Sequence, residues 1–261
     1  MSERSDASQE LVRAILEGVG MTVEPIPVQK GKRTADYLVS DTAHRYLVEV
    51  TDREPDADYK AFFRELASEG VSMLTRPVGT SKRLDDFVVE KAAQLRKTPI
   101  EASFNIAWIT ALHYDDELMV EELFRTLYGV AQLRTIKNPY DFAEWPGKTF
   151  DCYYYLPFSL RLETDIHGVG FASTDRTALF VNPFADNADS FRRSGLAHAF
   201  ANINRLHDPE DEKAKLEALH VPPDVEWTSK ALHKALREKY GLFTWPSPET
   251  LLQQQILIPK K

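Results

Sequence analysis

Residues 35–51 constrain this chain more than any other stretch. Ala35–Ser40 (ADYLVS) and Arg45–Thr51 (RYLVEVT) are short runs rich in β-branched and aromatic residues. Four residues, Asp41-Thr42-Ala43-His44, separate them, a length that suits a hairpin loop. With that loop, Ser40 faces Arg45, paired positions sum to 85, and Asp36 stands opposite Glu49. Side chains alternate faces along a strand, so Thr34, Asp36 and Leu38 share a face with Leu47, Glu49 and Thr51. Two carboxylates then meet on a sheet that is otherwise apolar. Opposed like charges are destabilising unless something positive lies between them. A divalent cation such as Mg²⁺ or Mn²⁺, which prefers carboxylate oxygen, would serve. The alternative is a slip of one residue, which sends one carboxylate to solvent and leaves an ordinary surface hairpin.

The rest of the chain supplies helices and strands around this hairpin. Residues 7–20 read as an amphipathic helix on Leu11, Val12, Ile15, Leu16 and Val19, with Gly18 and Gly20 at its exit. Met21–Val28 reads as extended, its prolines favouring a sheet edge. Asp56–Glu69 and Arg83–Lys97 read as helices across a loop holding Pro77 and Gly79, and Phe104–Ala111 as a buried strand. Glu117–Ile136 reads as one long helix. Beyond Pro139, strands are expected at Asp151–Ser159, Val169–Ser173 and Ala178–Asn182, and helices at Ser190–Leu206 and Ser229–Tyr240. This order predicts an α/β fold with a mixed central sheet flanked by helices. Residues 1–137 would form the core, and 138–261 a C-terminal α+β elaboration packed on the same domain, with Asn138–Gly147 as the boundary.

Several classes of protein are excluded or disfavoured. No apolar run approaches the ~18 residues of a membrane span, and the polar start, Met-Ser-Glu-Arg-Ser-Asp, lacks a secretory signal. The lone Cys152 permits no internal disulfide, which fits a reducing, cytoplasmic setting. Seven histidines are scattered without zinc-ligand spacing, and no glycine-rich phosphate loop occurs. Ser159 and Ser194 lack the turn of a nucleophile elbow. The net charge of −8 counts against a chain that grips nucleic acid, although it leaves room for a local basic patch.

The order of parts is similar to the PD-(D/E)XK, or restriction-endonuclease-like, nuclease superfamily. The matching pieces are Glu10 on the first helix, Gly20, Asp36 within Thr34-Ala35-Asp36-Tyr37, and Glu49 within Val48-Glu49-Val50-Thr51. The likeness spans roughly residues 7–111. It implies metal-dependent hydrolysis of phosphodiester bonds in nucleic acid. Asp36, Glu49 and Glu10 would then be ligands of Mg²⁺ or Mn²⁺, with Ser8 and Gln9 as neighbouring choices of register on the helix.

Two positions depart from the pattern. Ala35 replaces the proline, and Thr51 stands where the motif lysine is expected. A hydroxyl can hold a water but brings no positive charge to a developing anion. Lys91 offers a substitute. In Arg83–Lys97 the apolar stripe runs through Leu84, Val88 and Leu95, and Lys91 falls on it, with Gln94 one turn on. Lys91 either reaches the carboxylates or packs its stem and carries its ammonium to water. Lys30, Lys32, Arg33, Lys82 and Arg83 either steer a phosphate backbone or are solvated loop charges. Aromatic stretches at Tyr153–Phe158 and Trp227–Trp245 suit either a stacking surface or a core. The rival to an active nuclease is an inactive protein of the same fold that binds nucleic acid or a partner protein. A homo-oligomer is compatible with either.

Overall fold

A computed structural model describes residues 3–27, 34–54, 57–69, 71–77, 79–112, 116–141, 147–211, 218–247 and 251–257. In chain order the elements are α1 (Glu3–Gly18), β1 (Thr22–Pro25), β2 (Tyr37–Ser40), β3 (Arg45–Asp52), α2 (Ala57–Glu69), β4 (Val71–Pro77), α3 (Lys82–Lys97), β5 (Phe104–Thr110) and α4 (Asp116–Tyr128). There follow β6 (Ala131–Ile136), β7 (Lys148–Tyr153), β8 (Gly168–Ala172), β9 (Thr177–Val181), α5 (Ala188–Arg192), α6 (Gly195–Asn202), β10 (Leu206–His207) and β11 (Leu219–His220). The last are α7 (Ser229–Tyr240), β12 (Phe243–Pro246) and β13 (Leu251–Leu257).

The protein is mixed α/β, with a seven-stranded sheet in the order β1-β2-β3-β5-β8-β9-β10. β3 pairs antiparallel with β2 and parallel with β5, and β5 pairs parallel with β8. Strands from beyond residue 138 therefore continue the sheet begun by the first half of the chain. A second sheet has the order β11-β7-β6-β12, and β4 pairs with β13 in a separate ribbon. β6 and β7, on either side of Asn138–Gly147, pair antiparallel with each other.

Alternation along β3 divides the core. Tyr46, Val48 and Val50 pack with Val12 and Leu16 of α1 and with Trp108 and Phe200. Leu47 packs on the opposite side with Leu84, Val88, Ala92 and Leu95 of α3 and with Ala107 and Ile109 of β5. Glu49 belongs by alternation to that second side, beneath α3. Trp108 is fully buried, and the register sets it beside Gly170 of β8, where a Cβ would run into the indole ring.

Most predicted elements form close to their expected limits, with β1 at the edge its prolines favoured. Four differ for physical reasons. Asp151–Ser159 is strand only as far as Tyr153, the end of β7, because Tyr154 takes φ 63° and turns the chain. The long helix at Glu117–Ile136 stops at Tyr128, because Gly129 takes φ 57° and the chain turns into β6. A side chain at Gly129 would collide with the Leu156 carbonyl. Ser190–Leu206 divides into α5 and α6 because Ser194 caps the second helix, its side chain accepting from the Ala197 N–H. Val71–Pro77, read as loop, is a strand because it pairs with Leu251–Leu257. Among the described residues no helix is long and apolar enough to cross a membrane.

Candidate functional site

The predicted hairpin register holds: Tyr37, Leu38, Val39 and Ser40 pair with Val48, Leu47, Tyr46 and Arg45. It breaks at Asp36. Both Tyr37 and Asp36 oppose Val48, and the Asp36 N–H donates to the Val48 carbonyl at 3.0 Å. Two residues against one make a β-bulge, a device that re-aims a side chain. The Val50 N–H, which a regular ladder would hand to Ala35, instead donates to Asp36 Oδ2 at 2.7 Å. Ala35 is left to donate its own N–H to Thr98 Oγ1 at 2.9 Å and to pack beneath α3. The Asp36 carboxylate thus replaces a rung of backbone ladder.

From α1, Gln9 Nε2 donates to Asp36 Oδ1 at 2.6 Å. Glu10, the residue expected from the first helix, is exposed and is not brought to the carboxylates. The reason is helical phase. Ser8, Val12 and Leu16 face the sheet at spacing four, and Glu10 lies across the helix from them. Gln9 could have been found in the sequence as a polar residue three before Val12 and seven before Leu16, on the edge of that stripe. The bulge that turns Asp36 toward it had no local signal.

Glu49 is 4% exposed. Lys91 Nζ, arriving from α3, donates to Glu49 Oε1 at 3.0 Å and to Gln94 Oε1 at 3.4 Å. Gln94 Nε2 in turn donates to the Thr34 carbonyl at 3.0 Å, tying α3 to the chain just before the bulge. Lys91 is 8% exposed, so it does not carry its ammonium to water. It meets Glu49 directly and acts on Asp36 through its charge. Thr51, two residues beyond Glu49, is half-buried. Lys82 and Arg83 are exposed at the start of α3. Lys30, Lys32 and Arg33 lie outside the described residues.

Glu49 Oε2 is shielded from solvent and has no donor partner. Burial pushes the Glu49 carboxyl up to about 8, the neighbouring Asp36 charge adds to the rise, and Lys91 opposes it. Burial also raises Asp36, against the Val50 N–H and the Lys91 charge. One cation beside two carboxyls leaves one negative charge in excess, which a retained proton relieves at neutral pH. A hard cation could relieve it instead. The two carboxylates offer it oxygen, and each carboxylate oxygen that already accepts one hydrogen bond has a further lone pair. Among the described residues no group of three or more His, Cys, Asp or Glu gathers to hold a metal. Two carboxylates still suit Mg²⁺ or Mn²⁺, which commonly takes its remaining ligands from water and substrate phosphate.

The end of β3 is fixed separately. Arg53, which follows it, grips both Glu122 oxygens at 3.1 and 3.2 Å and is 7% exposed. Thr110 Oγ1, at the end of β5, bonds Ser8 at 2.9 Å and Asp52 at 3.1 Å. These contacts tie α1 and α4 to the strand that carries Glu49.

Fold and site together define a mixed α/β protein with a buried Glu49 and a half-buried Asp36 on a bulged hairpin, served by a helix-borne lysine. No family model, curated protein or solved structure matches this chain.

Proposed function

We propose that the chain is a metal-dependent nuclease with a restriction-endonuclease-like core, Asp36 and Glu49 holding Mg²⁺ or Mn²⁺ and Lys91 standing in for the motif lysine. One observation carries this reading: the Lys91 ammonium lies 3.0 Å from Glu49, 42 residues away in sequence, and its charge is felt by the Asp36 carboxyl. A bound divalent ion would polarise a phosphate and favour ionisation of an attacking water. The residues of the chain supply the rest. Lys91 brings the positive charge that Thr51 lacks to the place where phosphate oxygens gather charge. Gln94 steadies Lys91, and Gln9 with the Val50 N–H steadies Asp36. Glu10 has no part in this arrangement.

A second reading, a non-catalytic protein of the same fold, is favoured by the depth of the ion pair, since Glu49 and Lys91 are both buried. Calorimetry with Mn²⁺ on the wild type, Asp36→Ala and Glu49→Ala tests the ligands, and cleavage of plasmid and single-stranded DNA and RNA tests the chemistry. The nuclease reading expects Mn²⁺ binding that both variants lose, and cleavage that Lys91→Met also loses. Wild-type protein that binds no Mn²⁺ even with an oligonucleotide present, and cleaves nothing, sinks it in favour of the second.

A further inference from the structure

The chain carries a net charge of −8, yet one helix runs against that balance. α7 (SKALHKALREKY) holds Lys230, Lys234, Arg237 and Lys239 against a single acid, Glu238. Leu232 and Leu236 are its buried residues. Lys230, Lys234 and Arg237 recur at spacings of four and three on the opposite, solvent face, and all three are exposed. Lys234 meets Glu238 only at 3.8 Å, with both side chains more than two-thirds exposed, so its charge is not spent internally.

Both ends of this stripe are furnished alike. Beyond the C-terminus, the Arg237 guanidinium lies 4.3 Å over the Phe243 ring. Before the N-terminus, Arg161 lies 4.6 Å over Trp227, and Trp227 is itself held by its indole N–H donating to the Tyr154 carbonyl at 3.3 Å. Stacking on a ring fixes a guanidinium in place while leaving its in-plane N–H groups free to donate, apart from the one Arg161 gives to the Pro223 carbonyl. Two oriented guanidiniums, one on Trp227 just before the helix and one near its end, thus flank two exposed ammonium groups along a helix of about 18 Å. Phosphate oxygens arranged along a strand complement such a row.

We propose that α7 is a docking track for a single strand of nucleic acid, its backbone phosphates running from Arg161 past Lys230 and Lys234 to Arg237. The inference rests on the nucleic-acid reading of the Asp36–Glu49 site but not on catalysis there, and binding alone tests it. The phosphate row is read by charge, so the track is indifferent to base sequence.

The experiment is fluorescence-anisotropy titration of a 20-nucleotide single strand in EDTA, at several salt concentrations. It compares the wild type with K230Q/K234Q/R237Q and with K230R/K234R/R237K, which keeps the charges. Neutralising three phosphate contacts should weaken binding at low salt by at least ~10-fold and flatten the slope of log K against log salt by roughly 2. The charge-keeping variant should retain the wild-type slope. Equal affinity and slope in wild type and glutamine variant overturn the track while leaving Mn²⁺ binding and cleavage to judge the nuclease reading. A wild type that binds no strand also overturns it, as does a glutamine variant that loses binding to anionic phosphatidylserine vesicles while binding the strand normally.

Discussion

Replacing Glu49 with Gln should make the protein more stable at neutral pH, although Glu49 faces the buried Lys91. Glu49 is held at about 8 in the folded protein and titrates near 4.5 when exposed. Between those values the native state keeps a proton that the unfolded chain releases. Stability therefore falls as pH rises from 4.5, and levels off once pH passes 8. At ~1.4 kcal/mol per pH unit, the loss between pH 4.5 and pH 7 comes to roughly 3 kcal/mol. The carboxyl is almost fully enclosed, so solvent screening discounts this little. Glutamine keeps an oxygen for Lys91 but does not titrate. Urea unfolding at pH 5, 7 and 8.5 reads the difference. The two proteins should lie close together at pH 5. By pH 7 the variant's midpoint should be higher by about 1 M, for an m-value of ~3 kcal/mol per molar. Parallel stability–pH curves would refute the argument, because they would mean that Glu49 ionises as it does in the unfolded chain. Mn²⁺ should flatten the wild-type curve by replacing the proton, and leave the glutamine variant unmoved.

Other substitutions probe the frame around the site. Asp36→Ala leaves the Val50 N–H and Gln9 without their acceptor and should cost about 2 kcal/mol in chemical denaturation, with faster amide exchange at Val50. Arg53→Met strands the Glu122 carboxylate after a two-point buried contact, and a loss of ~3 kcal/mol is expected from thermal unfolding. Gly170→Ala drives a methyl into the Trp108 ring and should cost at least ~2 kcal/mol, with a change in Trp fluorescence. Asp41 is raised by burial but held down to about 2 by the Tyr46 hydroxyl and the N–H groups of Ala43, His44 and Gly195. Its contribution is complete above its ordinary 3.8 and is lost as pH falls through 2, so Asp41→Asn should reduce the acid sensitivity of unfolding in that window.

The hairpin was legible because strand spacing and a four-residue loop fix which residues face each other, and those are local properties. Asp36 and Glu49 could be paired on paper for that reason. Lys91 was legible as a misfit, a charge on an apolar stripe, because helical periodicity reveals which face is buried before the partner is known. α7 was likewise bounded correctly from its pattern.

Tertiary structure decided what those misfits meet. Lys91 finds Glu49 only because α3 packs across β3, and no spacing in sequence encodes that crossing. Gln9 displaces Glu10 at the carboxylates because the phase of α1 is set by Val12 and Leu16 against the sheet, and because a bulge turns Asp36 toward it. Val71–Pro77 became a strand through a partner that begins 174 residues after it ends, at Leu251. The proton on Glu49 belongs to the same class: a glutamate's charge is fixed by composition only in water, and here enclosure beside a second carboxyl overrides it. Periodicity determined which residues turn inward; only packing determined which of them touch, and contact at low dielectric is where the chemistry of this site arises.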